Sequence, residues 1–368
     1  GVGKAGKRAA SVAAEKIQAK LALGDLSPLQ PAAPPAPTLR EYAQRWLSSE
    51  ATLRLKPITA ERYTIVVNRH LLPAFGDTRV PDLTRSALKT QLAAWLANGK
   101  VRGSGPLRPG TVRLLVATLR AVLNTAMEDG LISTNPASRL GRFVRADGAI
   151  EDEAPDPFTA DEVQALLGVA EREYPEWHPF SLTMARTGLR IGECLALQRD
   201  DVDVTRRTLW IRRTWTRGRL GTTKGGRSRA VDLSPQAVQV LRDWMSIQET
   251  EAVVEGKPLS PWLFPSPTGG PWDDRWLRWH IWRPLLRRAG LRHRGPHQLR
   301  HSYASLLIAA GAHPKYIQAQ LGHASITVTM DVYGHLFPGT FARLVDALDD
   351  ATARNLPATA PAMAAKLG

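Results

Sequence analysis

Three observations predict a mainly α fold carrying one small antiparallel sheet. Apolar residues recur at helical spacing through most of the 368-residue chain. Only "RTLWIRRTW" and "RAVDLS" have strand character, joined by the Gly-rich "RGRLGTTKGGRS". Two Pro-rich or acidic stretches divide the rest into separate helical groups. At this length the chain should form two or three domains, each burying its own core.

The elements justify this in order. Residues 1–37 hold one helix, "KRAASVAAEKIQAKLALGD", ending near Gly24, then "LSPLQPAAPPAPT", whose five prolines read as an extended linker. Residues 38–145 read as a helical bundle. Its first helix opens at Thr38, a helix cap, with Leu39, Tyr42 and Trp46 on one stripe. "TAERYTIVVNRHLLPAFG" predicts a second helix that stops before Pro73, and "TRSALKTQLAAWLANGK" and "RPGTVRLLVATLRAVLNTAMEDG" predict a third and fourth. The acidic, Gly- and Pro-containing run ending at residue 157 reads as a linker, 146–157. Residues 158–345 form the second large unit. Thr159 and Glu162 make a capping box, Gly188 turns between two helices, and a hairpin with Lys224 at its tip is followed by helix to the end. The tail, 346–368, has little core-forming pattern, and "FARLVDAL", 341–348, is a candidate docking helix.

The net charge of +15 and a pI near 10.4 favour a polyanionic partner, most simply nucleic acid. The bundle holds 17 Lys and Arg against fewer than half as many acids, as expected of a surface that grips phosphates. Cys194 is the single cysteine, so no disulfide can form within the chain. No run of eighteen apolar residues and no signal peptide is present, which predicts a soluble cytoplasmic, nucleoid-associated protein with no membrane partner. The chain opens at Gly1 rather than Met, so a longer natural N-terminus is expected.

Four stretches carry chemistry. Around "HQLRHSYASLL", which starts at His297, His293, His297 and His301 stand four apart, but Pro296 interrupts a continuous helix and no Glu lies between them, which argues against zinc. A phosphate clamp makes better sense: His297 and Arg300 share a face at a helix N-terminus, where free N–H groups and a bidentate guanidinium favour an anion. The alternative is that these residues cap the helix while His301 packs or is solvated. In "ARTGLRIGECLAL", Arg190 heads a helix and Glu193, three on, can hold it; alone this reads as a surface ion pair of about 1 kcal/mol or less. Lys224 in "TTKGGRSRAVDLS" is either a mobile proton donor or an ordinary turn lysine. In "LGHASITVTMDVYGHLF", His323 follows Gly322, and Tyr333 is either a core residue or a phenol that needs a cationic pocket to become a nucleophile.

Taken together, the ordered set Arg190, Lys224, His297, Arg300, His323, Tyr333 resembles the tyrosine recombinase, or phage-type integrase, family. The likeness extends over roughly residues 38–345 through "TGLRIGE", "TKGGRSRAVDL", "HQLRHSYASLLIAAG" and "LGHASITVTMDVYGHL", with "NRHLLPAFG" and "LISTNP" in the bundle. It implies a core DNA-binding bundle followed by a catalytic domain, the two clasping duplex DNA. It implies metal- and ATP-independent cleavage with no cofactor, in which Tyr333 attacks the phosphate, forms a 3′-phosphotyrosine and frees a 5′-hydroxyl. Arg190 and Arg300 would hold the non-bridging oxygens, Lys224 would protonate the leaving 5′ oxygen, His297 would handle a proton at the nucleophile, and His323 would bond the phosphate. Glu193 would orient Arg190. Four copies on paired DNA sites, with an accessory bending protein and an excision factor, are further implications. Residues 1–37 resemble the end of an arm-binding domain. An integrase of a mobile element is expected over a resolvase; a type IB topoisomerase-like enzyme or a catalytically silent DNA binder are the remaining alternatives.

Overall fold

The computed structural model describes residues 3–23, 35–101, 103–144, 155–223 and 226–337. The chain divides into two compact units, residues 1–153 and 154–368. The linker stretches 24–34 and 145–154, Lys224 and everything from 338 onward, including "FARLVDAL" and the tail, lie outside the described residues.

In the first unit α1 (Lys4–Ala22) is the predicted lone helix. Next, α2 (Leu39–Ser48) opens on a capping box: the Thr38 hydroxyl accepts from the Glu41 amide while the Glu41 carboxylate accepts from the Thr38 amide. Leu39, Tyr42 and Trp46 are all buried, as their stripe predicts. A short α3 (Glu50–Arg54) follows. The second bundle helix does not stop at Pro73. It runs as α4 (Pro57–Val66), a π-helical turn (Val67–Leu71) and α5 (Leu72–Phe75). A proline lacks the amide proton and crowds the carbonyl four residues back, and widening the preceding turn by one residue relieves both without ending the helix. Thr84 caps α6 (Arg85–Asn98), and α7 (Pro109–Glu128) forms the bundle's centre, burying Val112, Leu115, Leu119, Val122, Leu123 and Ala126. Two polar bonds tie α2 to the end of α7: Trp46 Nε1 to Thr125 Oγ1 at 3.0 Å, and Tyr42 Oη to Asp129 Oδ2 at 2.6 Å.

The second unit starts with α8 (Ala160–Glu173), on the predicted Thr159–Glu162 box. The pair α9 (His178–Thr187) and α10 (Ile191–Leu195) is joined through Gly188 at φ +60°. Two sheets replace the single hairpin that was expected. Strands β1 (Val202–Asp203), β2 (Thr208–Ile211) and β5 (Arg229–Asp232) make one antiparallel sheet, with Leu209 opposite Val231 in its buried face. Strands β3 (Arg213–Thr216) and β4 (Arg219–Thr222) make a separate hairpin. The run breaks at Arg212 and Arg213. Their side chains would leave a straight strand on opposite faces, yet both bond the buried carboxylate of Asp201, at 2.9 and 2.6 Å. The hairpin tip is Arg217–Gly218, both at positive φ, as a two-residue turn requires. Lys224, expected at a hairpin tip, lies outside the described residues.

Ser234 caps α11 (Pro235–Glu255). Then α12 (Asp274–Leu277), a second π-helical turn (Arg278–Trp282) and α13 (Arg283–Arg288) pass Pro284 by the same device as in the bundle. The last three described α-helices, α14 (His297–Ala309), α15 (Pro314–Leu321) and α16 (Ile326–Tyr333), enclose a small core of Tyr303, Ala304, Ile308, Ile317, Leu321 and Tyr333. No described helix is long and apolar enough to cross a membrane.

Candidate active site

Gly188 ends α9 in a left-handed conformation that leaves no room for a side chain: a Cβ there would lie 2.5 Å from the Tyr303 ring. The turn delivers Arg190 to the head of α10. Glu193, one helical turn on, bonds the Arg190 amide at 3.1 Å and its guanidinium at 2.8 Å. The expected surface ion pair is instead a buried three-membered cluster. Glu193 is only 1% exposed, and Arg229, at the start of β5, bonds both its oxygens at 3.2 and 2.8 Å. Burial opposes ionisation of Glu193, but the hydrogen bonds and charge of Arg229, and the charge of Arg190, outweigh it and hold the carboxyl down to about 2. Arg229 was not singled out in the sequence. It stands 36 residues from Glu193, so no local spacing announces the contact.

Arg300 is 2% exposed and, among the described residues, bonds no carboxylate. Its guanidinium donates to the Gly188 carbonyl at 2.9 Å and the Leu321 carbonyl at 2.7 Å. These carbonyls lie at the C-terminal ends of α9 and α15, where helix dipoles favour a cation. Burial, with the nearby Arg190 charge, pushes Arg300 down to about 9, so it stays charged at neutral pH.

His297 is the first residue of α14; the helix starts directly after Pro296, so His293, His297 and His301 do not align on one helix. His323 follows Gly322, which ends α15 at φ +65°, and its Nδ1 lies 2.8 Å from Thr329 Oγ1. Burial holds both imidazoles down to about 4, aided in each case by the charge of Arg300. Both are neutral at pH 7.

Tyr333 closes α16 and is 2% exposed. Burial pushes its phenol up to about 12, opposed by the charge of Arg300. Its hydroxyl lies 2.8 Å from Nδ1 of His301, which in turn meets the His297 ring edge-on at 5.1 Å between centroids. His301 was expected only to pack or be solvated; the imidazole on the phenol is this one, not His297. Its position four after His297 was the available signal, since it puts both on one face. Arg190 acts electrostatically on His297, Arg300 and His323, and Arg300 on Tyr333, so these residues share one cationic neighbourhood. Such a site is suited to an anion, with a phenol and a neutral imidazole beside it.

Comparison with known proteins agrees. Residues 157–339 match the phage integrase family, and residues 38–96 match its N-terminal SAM-like domain. Tyrosine recombinase XerC of Mycobacterium sp. (strain JLS) is 30% identical over 294 residues, covering 76% of this chain and 88% of that protein. The chain belongs to the phage integrase, or tyrosine recombinase, family of DNA-cleaving and rejoining enzymes. Its fold is shared with a Tn1549 transposon integrase bound to transposon right end DNA (TM-score 0.67, 19% identity, 86% of this chain and 99% of that one). It is also shared with a lambda integrase tetramer bound to a Holliday junction (TM-score 0.59, 20% identity, 85% and 87%).

Proposed function

We propose that Tyr333 is the nucleophile of a mobile-element integrase acting on duplex DNA. The observation that carries this reading is a pair of differently anchored, mutually interacting arginines, Arg190 on buried Glu193 and Arg300 on two helix ends, with Arg300 acting on one buried phenol. Two fixed cations suit the non-bridging oxygens of a phosphodiester, whose negative charge grows and redistributes in the transition state. Attack by the Tyr333 oxygen on phosphorus forms a 3′-phosphotyrosine and expels the 5′ oxygen, which Lys224 protonates. His323 donates to the phosphate, and His297 lies next to the imidazole that touches the phenol. The bond energy stays in the phosphotyrosine, so a partner strand's 5′-hydroxyl can reverse the step without a nucleotide.

The other tyrosines of this unit near the site fit less well. Tyr316 donates to Asp232 at 2.8 Å, and Tyr303 faces Gln320 in the small core. A neighbouring carboxylate opposes formation of a phenolate. The fold shared with a transposon integrase and the lambda integrase supports integration, and the Holliday-junction tetramer supports four copies on paired sites, with accessory bending and excision factors as candidate partners. The 30% identity to a XerC recombinase favours a resolvase as the second reading.

The test is capture of covalent protein–DNA adducts from cells expressing the chain, followed by sequencing of the trapped DNA. Adducts focused on one or two sequences, lost in Tyr333→Phe, are expected; trapped sites at an element's ends mark an integrase and one chromosomal site a resolvase. Adducts scattered without sequence focus would turn the reading toward a relaxing, topoisomerase-like enzyme. Adducts that persist in Tyr333→Phe would overturn it.

A further inference from the structure

We propose that His301, rather than His297, takes the proton from the attacking tyrosine. The inference rests on Tyr333 being the nucleophile and goes beyond it by naming the proton acceptor. His301 Nδ1 is 2.8 Å from the Tyr333 hydroxyl, and the only bond its ring makes among the described residues is this one. The geometry is fixed from both sides. His301 sits in the second turn of α14, which is anchored by buried Leu299 and Arg300, and Tyr333 sits at the end of α16 inside the small core. Proton transfer needs this reach, about 2.6–3.2 Å between heavy atoms. His297 bonds no part of the phenol; it meets the edge of the His301 ring and so limits that ring's rotation.

The charges around His301 keep it able to accept. His297 and Arg300 lie on its own helix, Tyr333 comes from α16, and His323 from the segment after α15. Burial, then the Arg300 charge, lowers its proton affinity, so the ring is neutral at pH 7 and, with its hydrogen on Nε2, presents a lone pair from Nδ1. In the cleavage step the Tyr333 O–H bond breaks and its proton moves to Nδ1. The Oη–P bond forms as the P–O5′ bond breaks, and O5′ receives a proton from Lys224. Rejoining runs the same transfers backwards, the His301 imidazolium returning the proton to the departing phenolate. The Arg300 charge beside the imidazolium favours that return.

The experiment uses the full chain and a nicked duplex bearing the sequence recovered in the adducts. The rate of adduct formation in a single turnover is read from pH 5 to 9.5 for wild type, Tyr333→Phe, His301→Asn and His297→Gln. Asparagine can keep the hydrogen bond to the phenol but cannot take its proton. Wild type is expected to be flat above about pH 6.5. His301→Asn, checked for folding and DNA binding, is expected to be about 10²–10⁴-fold slower at pH 7 and to gain about tenfold in rate per pH unit, as hydroxide replaces the imidazole. His297→Gln is expected to keep a flat profile. A His301→Asn profile like wild type, or a loss that no pH recovers in a folded, DNA-bound variant, overturns the assignment while leaving Tyr333 in place. Adducts formed by Tyr333→Phe remove both.

Discussion

Glu193 is buried away from bulk solvent and relies on two arginines, and the cationic site depends on it in turn. Glu193→Gln leaves Arg190 and Arg229 without their anion, so a loss of about 3 kcal/mol or more is expected, read as a melting temperature lower by roughly 5–10 °C. Because its carboxyl is held at about 2, below the ordinary carboxylate value, its contribution is complete at neutral pH and fades as the solution is acidified toward pH 2. The histidines add a limb at higher pH. His297 and His323 titrate near 4 in the folded chain and near 6.5 when unfolded, so the unfolded chain binds more protons between these values and stability falls as pH drops from 6.5 to 4. Thermal melts across that window should show the fall, and His297→Gln should flatten part of it; an unchanged slope would mean that this imidazole is not held neutral by burial. At this scale the sequence placed Arg190, Glu193, His297, Arg300, His323 and Tyr333 in one neighbourhood, because their order matched a family pattern. Arg229 and the His301–Tyr333 contact escaped it, because each joins residues more than thirty positions apart.

Elements that begin on a capping residue were legible from sequence: Thr38 and Thr159 each accept a backbone amide at the head of a helix. Elements shaped by long-range demands were not. The two π turns exist because packing keeps the helices going past Pro73 and Pro284, and the split of one expected hairpin into two sheets follows from the pull of Asp201 on consecutive arginines. The α9–α10 turn gives the sharpest prediction at this scale. Gly188→Ala places a methyl group against Tyr303 at a left-handed backbone position and shifts the carbonyl that holds Arg300. Strain and overpacking together should lower stability by about 2–4 kcal/mol, and DNA cleavage should fall further than DNA binding. Equal losses of both in gel-shift and adduct assays would show that Gly188 serves only the fold.

Over the whole chain, charge and chemistry are assigned to different tasks. The excess of +15 is far more than one phosphodiester site needs, and the basic bundle should supply most of the affinity through phosphates. Binding to duplex DNA is therefore expected to weaken by at least about 10³-fold between 50 and 200 mM salt, with a slope that Tyr333→Phe leaves unchanged. A shallow slope would point to recognition carried mainly by base contacts.

The central claim, that Tyr333 carries the DNA strand, is tested most directly by mass spectrometry of the trapped adduct after protease and nuclease digestion. The expected result is a nucleotide joined through its 3′ phosphate to the peptide containing Tyr333. A nucleotide on the peptide of Tyr303 or Tyr316, or joined through a 5′ phosphate, would contradict it.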